Sequence, residues 1–333
     1  MDGIGYINDA FAQLRVSEIT AEMVQTFLSD LSESLSGNTV RGLFSKLRVV
    51  LDLALKRGWL KVDPLAGHRI SLPPKERREA FPDRGQIGKI LEFVNSNDHL
   101  NQKTCAVLLR RVYFNLAIFA GLRSGEIGTL EWDAVDLDTD TITVRQSCSK
   151  IDGITKPKTK AGNRKVPMSG RIKAALLEML AYQQLQAKTM ADATSPNNKS
   201  WLINYRWKYG MTPDLDAPRK GLIFKRGAQG LFHAEKIRQG LYMPVMEALG
   251  MTGEGKPDFP PHSLRHAAAS LFIEAAVQPM YLKTIMGHGS IMITYDVYGH
   301  LFPTDNSLRD AIAQIGATFD ATTERQRNLS ACN

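Results

Sequence analysis

Four short patches, far apart along the chain, hold side chains suited to chemistry on a phosphate ester. They are Gly121-Leu122-Arg123-Ser124-Gly125-Glu126; Pro157-Lys158-Thr159-Lys160, with Arg164 and Lys165 just beyond; His262-Ser263-Leu264-Arg265-His266; and Gly287-His288, with Tyr298 ten residues after the histidine. A phosphodiester is anionic, and its pentacoordinate transition state gathers more charge on the two non-bridging oxygens. Arg123 and Arg265 can grip those oxygens bidentately and stay charged at any working pH. A well-placed donor of this kind contributes several kcal/mol. Tyr298 supplies an oxygen nucleophile whose phosphotyrosine adduct preserves the bond energy of the ester, so resealing needs no ATP. The leaving oxygen needs a proton, and Lys158 at a hairpin tip can give it. Lys160, two residues on, points to the same face of a strand, and the register of the hairpin decides between them. His262 and His288 can donate hydrogen bonds to the phosphate and help move the tyrosine proton. With two guanidiniums in place of paired magnesium ions, the scheme calls for no metal and no cofactor.

Each patch alone also has a structural reading. Glu126 can be the surface ion-pair partner of Arg123, three residues before it, and a Lys/Arg-rich hairpin can simply be solvated. His262 and His266, four apart at a helix start, can be polar surface or capped core residues, and His266 is read as a packing or supporting residue. Tyr298 can pack half-buried. A zinc site of His262, His266 and His288 is disfavoured, because the His-x-x-x-His segment has no glutamate and no nearby cysteine. If Ser290 caps a short helix, Tyr295 and Tyr298 lie on neighbouring parts of one face.

The elements that must carry these patches are mostly helical. The chain has 333 residues, 43% apolar and 23% charged, enough for about two domains with sizeable cores. A net charge of +8 and a pI near 9.3 suit an anionic partner, nucleic acid above all. Three cysteines without CxxC spacing give neither a disulfide framework nor a zinc ribbon. There is no signal-peptide pattern and no apolar run of membrane-spanning length, so a soluble cytoplasmic protein is expected.

Residues 1–72 read as a helical domain. Met23, Val24, Phe27, Leu28 and Leu31 share one face of a helix capped by Thr20. Thr39 opens another, with Val40, Leu43, Phe44, Leu47, Leu51 and Ala54 buried and Gly58 as its stop. Net charge is −5 over residues 1–40 and +7 over 41–78, which marks Arg41, Lys46 and Arg48 as candidate phosphate contacts. Residues 73–83, within SLPPKERREAFPD, form a Pro- and charge-rich linker. The second domain, 84–305, opens with helices and passes into a β region. There Thr141–Val144 alternates, and Asp152-Gly153 and Ala161-Gly162-Asn163 are turns. Between Arg145 and Lys173 stand nine Lys/Arg against one acidic residue, a phosphate-gripping stripe that includes Lys160, Arg164 and Lys165. Loops over 192–235 hold one short strand near Leu222–Phe224. Helices resume from Lys236 and run through 264–277 and 279–286, and a tail, 306–333, carries a helix near Leu308–Ile315. The fold class is mainly α (α+β), with a small antiparallel sheet in the second domain.

In this order the patches resemble the tyrosine recombinases, the phage-integrase family of site-specific DNA recombinases. Arg123 matches the first-box arginine in GLRSGE and Lys158 the hairpin lysine. His262 and Arg265 match the HxLRH box, His288 the GH box and Tyr298 the nucleophile. The flanks LEWDAVDL and YGHLFP match as well, and the resemblance runs from about residue 17 to 305. It implies a helical core-binding domain and a mixed α/β catalytic domain that clamp double-stranded DNA from opposite sides. Tyr298 rather than Tyr295 then forms a 3′-phosphotyrosine and frees a 5′ hydroxyl. The resemblance further implies strand exchange in a homotetramer through a Holliday junction, and integration or excision of a phage or genomic island. A directionality or host bending factor is a further partner, and the tail docks on a neighbouring protomer. The beginning departs from the fuller pattern. It has no room for an arm-binding domain, and the segment before Ile19 is short for a complete first core-binding helix, so the chain is either truncated or of a shorter kind. A type IB topoisomerase uses similar residue types without the GLRSGE and YGHLFP neighbours. A catalytically silent DNA-binding regulator is disfavoured by the presence of all six catalytic types.

Overall fold

A computed structural model describes residues 3–75, 81–96, 104–151, 153–157, 160–191, 213–217, 219–224 and 232–302. The chain divides into two units, Met1–Glu79 and Ala80–Asn333.

The first unit holds three helices, α1 (Gly3–Phe11), α2 (Ala21–Ser32) and α3 (Gly37–Lys56). The Thr20 hydroxyl accepts the Met23 amide and caps α2, as its place before the apolar run predicts. Val24, Phe27 and Leu28 of α2 pack with Val40, Leu47, Leu51 and Ala54 of α3, and Phe11 meets Phe27 edge-on at 5.1 Å. Met23, expected on that face, is exposed. Helix α3 starts two residues before Thr39, with Ser36 as N-cap and its hydroxyl bonded to that of Thr39. It ends where Gly58 turns left-handed (φ +74°), and the amides of Trp59 and Leu60 both return to the Ala54 carbonyl. Of the three basic residues expected to face phosphates here, Lys46 is exposed and Arg41 donates to the Pro73 carbonyl (2.7 Å). Arg48, its side chain 32% exposed, is ion-paired within the domain. Its guanidinium is held by both oxygens of Asp63 (2.8 and 2.9 Å) and by Asp52 (2.8 Å), because one turn of helix and the following loop bring those carboxylates to it.

In the second unit Asp83 and Gln86 form a reciprocal capping box that starts α4 (Arg84–Asn95). Helix α5 (Thr104–Phe119) is the centre of the core. Tyr113, Phe114, Leu116 and Ile118 are fully buried, and Arg111 is paired with Glu178 (2.5 Å). Then follow α6 (Ser124–Gly128), β1 (Val135–Asp136), β2 (Thr141–Val144), the hairpin β3 (Ser147–Ser149) and β4 (Gly153–Thr155), then β5 (Arg164–Pro167) and α7 (Gly170–Ala191). The sheet is antiparallel in the order β1-β2-β5, with Val144 opposite Arg164. Ile223 donates to the Leu130 carbonyl and Trp132 to that of Gly221, so the expected strand near Leu222–Phe224 is a single bridge between Leu222 and Glu131. Helix α8 (Ala234–Ile237) widens into a π-turn over Arg238–Tyr242 and continues as α9 (Met243–Ala248). A short ribbon, β6 (Thr252–Gly253) and β7 (Lys256–Pro257), precedes α10 (Ser263–Glu274), α11 (Pro279–Met286) and α12 (Ile291–Tyr298). Ser290 caps α12 through the Met292 amide (3.2 Å), as its spacing predicts. No helix among the described residues is long and apolar enough to cross a membrane. Lys158 and the tail, 306–333, lie outside the described residues.

Candidate active site

Arg123 is the N-cap of α6, and both its main chain and its side chain close on Glu126. The amide donates to Oε2 at 2.8 Å and Nη1 to Oε1 at 3.0 Å. The helix is wedged in place. A Cβ on Gly125 would fall 2.7 Å from the Cys148 carbonyl oxygen, and one on Gly128 1.8 Å from that of Phe232, so only glycine lets α6 lie there. Glu126 is buried, which pushes its carboxyl up. Hydrogen bonds and charge from Arg164, followed by Arg123, outweigh burial and hold it below its ordinary range.

Arg164, expected on DNA phosphate, is a correction. Its Nη1 and Nη2 grip the two Glu126 oxygens at 3.0 Å each, and Nε donates to the Ile285 carbonyl at 2.7 Å. The reason is strand parity: along β5 Arg164 and Val166 point inward while Lys165 is exposed. Lys165 stays available to a phosphate. The backbone of Lys160 begins a 3₁₀ turn over Lys160–Gly162.

Arg265, near the start of α10, is buried and joins two patches. Nη1 donates to the Gly121 carbonyl (2.5 Å) and Nη2 to the Met286 carbonyl. Burial, and then the charge of Arg123, lower its pKa to about 9, which leaves it protonated at neutral pH. Gly287 follows Met286 in the left-handed region (φ +61°), with Arg164 Nη1 2.9 Å from where a Cβ would stand. That turn ends α11 and swings His288 inward. His288 is buried, and its Nδ1 is paired with the Thr294 hydroxyl at 2.8 Å. Burial, then the charges of Arg265, Arg123 and Arg164, lower its pKa to about 4.

Tyr298, the last residue of α12, is 3% exposed and lies flat against His288, the ring centroids 6.5 Å apart and 10° from parallel. Its hydroxyl is bonded to His266 Nδ1 at 2.9 Å. Burial pushes its pKa up to about 12 against the opposing pull of Arg265 and Arg123. Tyr295, three residues earlier, is exposed and rests on Phe302 at 5.8 Å. His262 stands at the opening as the N-cap of α10, exposed on one side, with its ring edge-on to His266 at 5.1 Å. The protein packed on its other side, then His266, Arg265 and Arg123, hold its pKa low, at about 4.

The fold thus gathers Arg123, His262, Arg265, His288 and Tyr298 around one spot. Sequence reasoning gave His266 a packing role, although its distance of four residues from His262 puts both on one helix face. Thr294 carried no signal, being one threonine of a helix.

The folded protein holds His288 neutral, whereas the unfolded chain protonates it near 6.5. Stability therefore falls as pH drops from about 6.5 towards 4 and levels off below, by about 2 kcal/mol at pH 5 from this residue. Melting curves at pH 7.5 and pH 5 are expected to show the loss, and His288→Gln to show less of it.

A family model described as Phage integrase family matches residues 83–304, and one described as Phage integrase SAM-like domain matches residues 6–70. The ICEBs1 integrase of Bacillus subtilis is 25% identical over 303 residues, 90% of this chain and 71% of that protein. A protein named Tyrosine recombinase XerC-like, from Caldanaerobacter subterraneus, is 24% identical over 318 residues, 89% of this chain and 71% of its own length. The chain spans between 60% and 71% of the length of the first three relatives. The Tn1549 transposon integrase, solved in complex with a circular intermediate DNA, shares the fold, with a TM-score of 0.64 at 17% identity over 94% of this chain and 90% of that one.

Proposed function

The chain belongs to the phage integrase family and is a tyrosine site-specific recombinase, and from that premise we propose that Tyr298 cuts and rejoins DNA strands for a mobile element. The observation that carries this reading is the placement of Arg265. One guanidinium ties the Gly121 turn, which carries Arg123, to the Gly287 turn, which carries His288, and Tyr298 lies against the same cluster. The phosphate takes the donors that Arg123, 40% exposed in its side chain, and Arg265 do not spend on protein. His262 and His288 donate to its oxygens. The Tyr298 oxygen attacks phosphorus and leaves a 3′-phosphotyrosine, while Lys158 or Lys160 protonates the 5′ oxygen. Lys46, Arg41, Lys165 and Lys160 steady the DNA backbone, four protomers exchange strands through a Holliday junction, and a directionality or bending factor sets the outcome. The work is done on DNA in the bacterial cytoplasm.

The test is a covalent trap. Nicked suicide duplexes tiled across the DNA flanking the gene are incubated with the protein in EDTA, and adducts are resolved on a denaturing gel. An adduct whose fragmentation places the nucleotide on Tyr298 supports the reading. An adduct on Tyr295, or tight binding with no adduct, overturns it.

Arg265→Lys keeps the charge and loses the fork. One ammonium cannot hold the Gly121 and Met286 carbonyls and a phosphate together. Adduct formation on the trapping duplex is expected to slow by about 100- to 1,000-fold.

A further inference from the structure

We infer that His266, through Nδ1, is the base that takes the phenolic proton when Tyr298 attacks. The inference rests on the reading of Tyr298 as nucleophile and moves to His266 a step that the motif reading assigns to His262 and His288. Tyr298 Oη lies 2.9 Å from His266 Nδ1, within the reach a general base needs. The histidines given the task by motif are placed otherwise. His288 Nδ1 is bonded to Thr294, and its ring stacks flat on the tyrosine. His262 stands edge-on behind His266 and opens to the outside.

The chemistry of the pair agrees. A hydroxyl buried this deeply stays protonated across the neutral range, so it needs an acceptor at hand. His266 faces His262 on its own helix, Arg265 beside it, and His288 and Tyr298 across from it. Burial and the Arg265 charge favour its neutral ring, and the tautomer with the proton on Nε2 is the one in which Nδ1 accepts the Tyr298 hydroxyl. As the tyrosine oxygen bonds to phosphorus, its O–H bond breaks and the proton passes to Nδ1, giving an imidazolium. The bond from phosphorus to the 5′ oxygen breaks, and that oxygen takes a proton from the hairpin lysine. Rejoining runs the same transfers backwards, so His266 returns the proton to Tyr298 and no other reactant is consumed.

The experiment uses the full chain on the duplex that traps the wild-type protein. His266→Asn places an amide oxygen near the position of Nδ1, so the hydrogen bond and the fold survive while the proton has nowhere to go. Cleavage at pH 7 is expected to slow by about 100-fold or more. Between pH 7 and 9 the wild-type rate stays level, whereas that of His266→Asn climbs roughly tenfold per pH unit, because tyrosinate must then form from solvent. His266→Gln, with its amide one methylene further out, serves if the asparagine variant melts early. A variant that is slow with a wild-type pH profile makes His266 a packing residue and overturns the inference, as does a wild-type rate. Tyr298→Phe, run alongside, separates the two readings. An adduct that persists in it removes the nucleophile and the base together, whereas its loss beside a normal His266→Asn removes only the base.

Discussion

Phenylalanine at position 298 is expected to abolish the covalent protein–DNA adduct, by a factor beyond about 10,000 in rate, while the affinity for the duplex stays within about twofold. The prediction follows from what the substitution removes and what it leaves. The ring of Tyr298 is buried against Ala269, Ile273, Leu282 and Met286, and phenylalanine keeps that packing and the stacking on His288. The one group lost is the hydroxyl, bonded to His266 Nδ1, a neutral hydrogen bond worth about 1 kcal/mol of stability. The guanidiniums of Arg123 and Arg265 cannot attack phosphorus, and no second hydroxyl of the cluster takes the place of the lost one, Thr294 being bonded to His288 Nδ1. Tyr295→Phe is the matched control. Its hydroxyl sits on an exposed ring outside the cluster, so its adduct yield is expected to match that of the unaltered protein. A gel shift and a denaturing gel on the same samples check both arms. Loss of the adduct in Tyr295→Phe alone would move the nucleophile to that residue.

How far such a site was readable in advance varied with the physics behind each residue. Helix starts were legible because caps are local. Thr20 and Ser290 act within three residues, and α11 runs over Pro279–Met286 as the spacing predicts. The first, third and fourth patches were legible as residue types in order, since each pairs a tight turn or helix start with a charged or titratable group. Arg164 was misread because a count of basic residues carries no parity. Its neighbour Lys165 faces out, while Arg164 faces a carboxylate 38 positions away. The pairing of Arg48 was hidden for a different reason: a sum of charges does not say that a helix turn and the following loop bring Asp52 and Asp63 to its guanidinium. His266 was undervalued because its partner lies 32 residues on, across a helix packing that no local period reveals. Helix α5 shows little amphipathic period for a plainer reason: it is surrounded by protein on nearly every side.

Glu126→Gln is expected to damage the enzyme twice. The carboxylate is buried between two guanidiniums, with the Arg164 side chain only 2% exposed. Glutamine keeps the shape and removes the charge, so Arg164 is left as an uncompensated buried cation, and one amide hydrogen is turned toward its donors. Breaking a buried pair in this way costs about 3–5 kcal/mol, which for a domain of this size lowers the melting temperature by roughly 10 °C. The second damage is to geometry. Glu126 holds the Arg123 amide and side chain, and through Arg164 it reaches the Ile285 carbonyl at the end of α11, two residues before the turn that sets His288. One carboxylate therefore spaces the first guanidinium against the GH turn. The two effects can be separated. Glu126→Leu combined with Arg164→Met removes the charge and its partner together, and such replacements of a buried pair are often neutral or stabilising. The double variant is expected to regain most of the melting temperature and to stay at least about 100-fold slow in adduct formation, since Arg123 has lost its tether. Recovery of rate along with stability would show that Glu126 serves only to neutralise Arg164, and that the phosphate itself orders Arg123 when it binds.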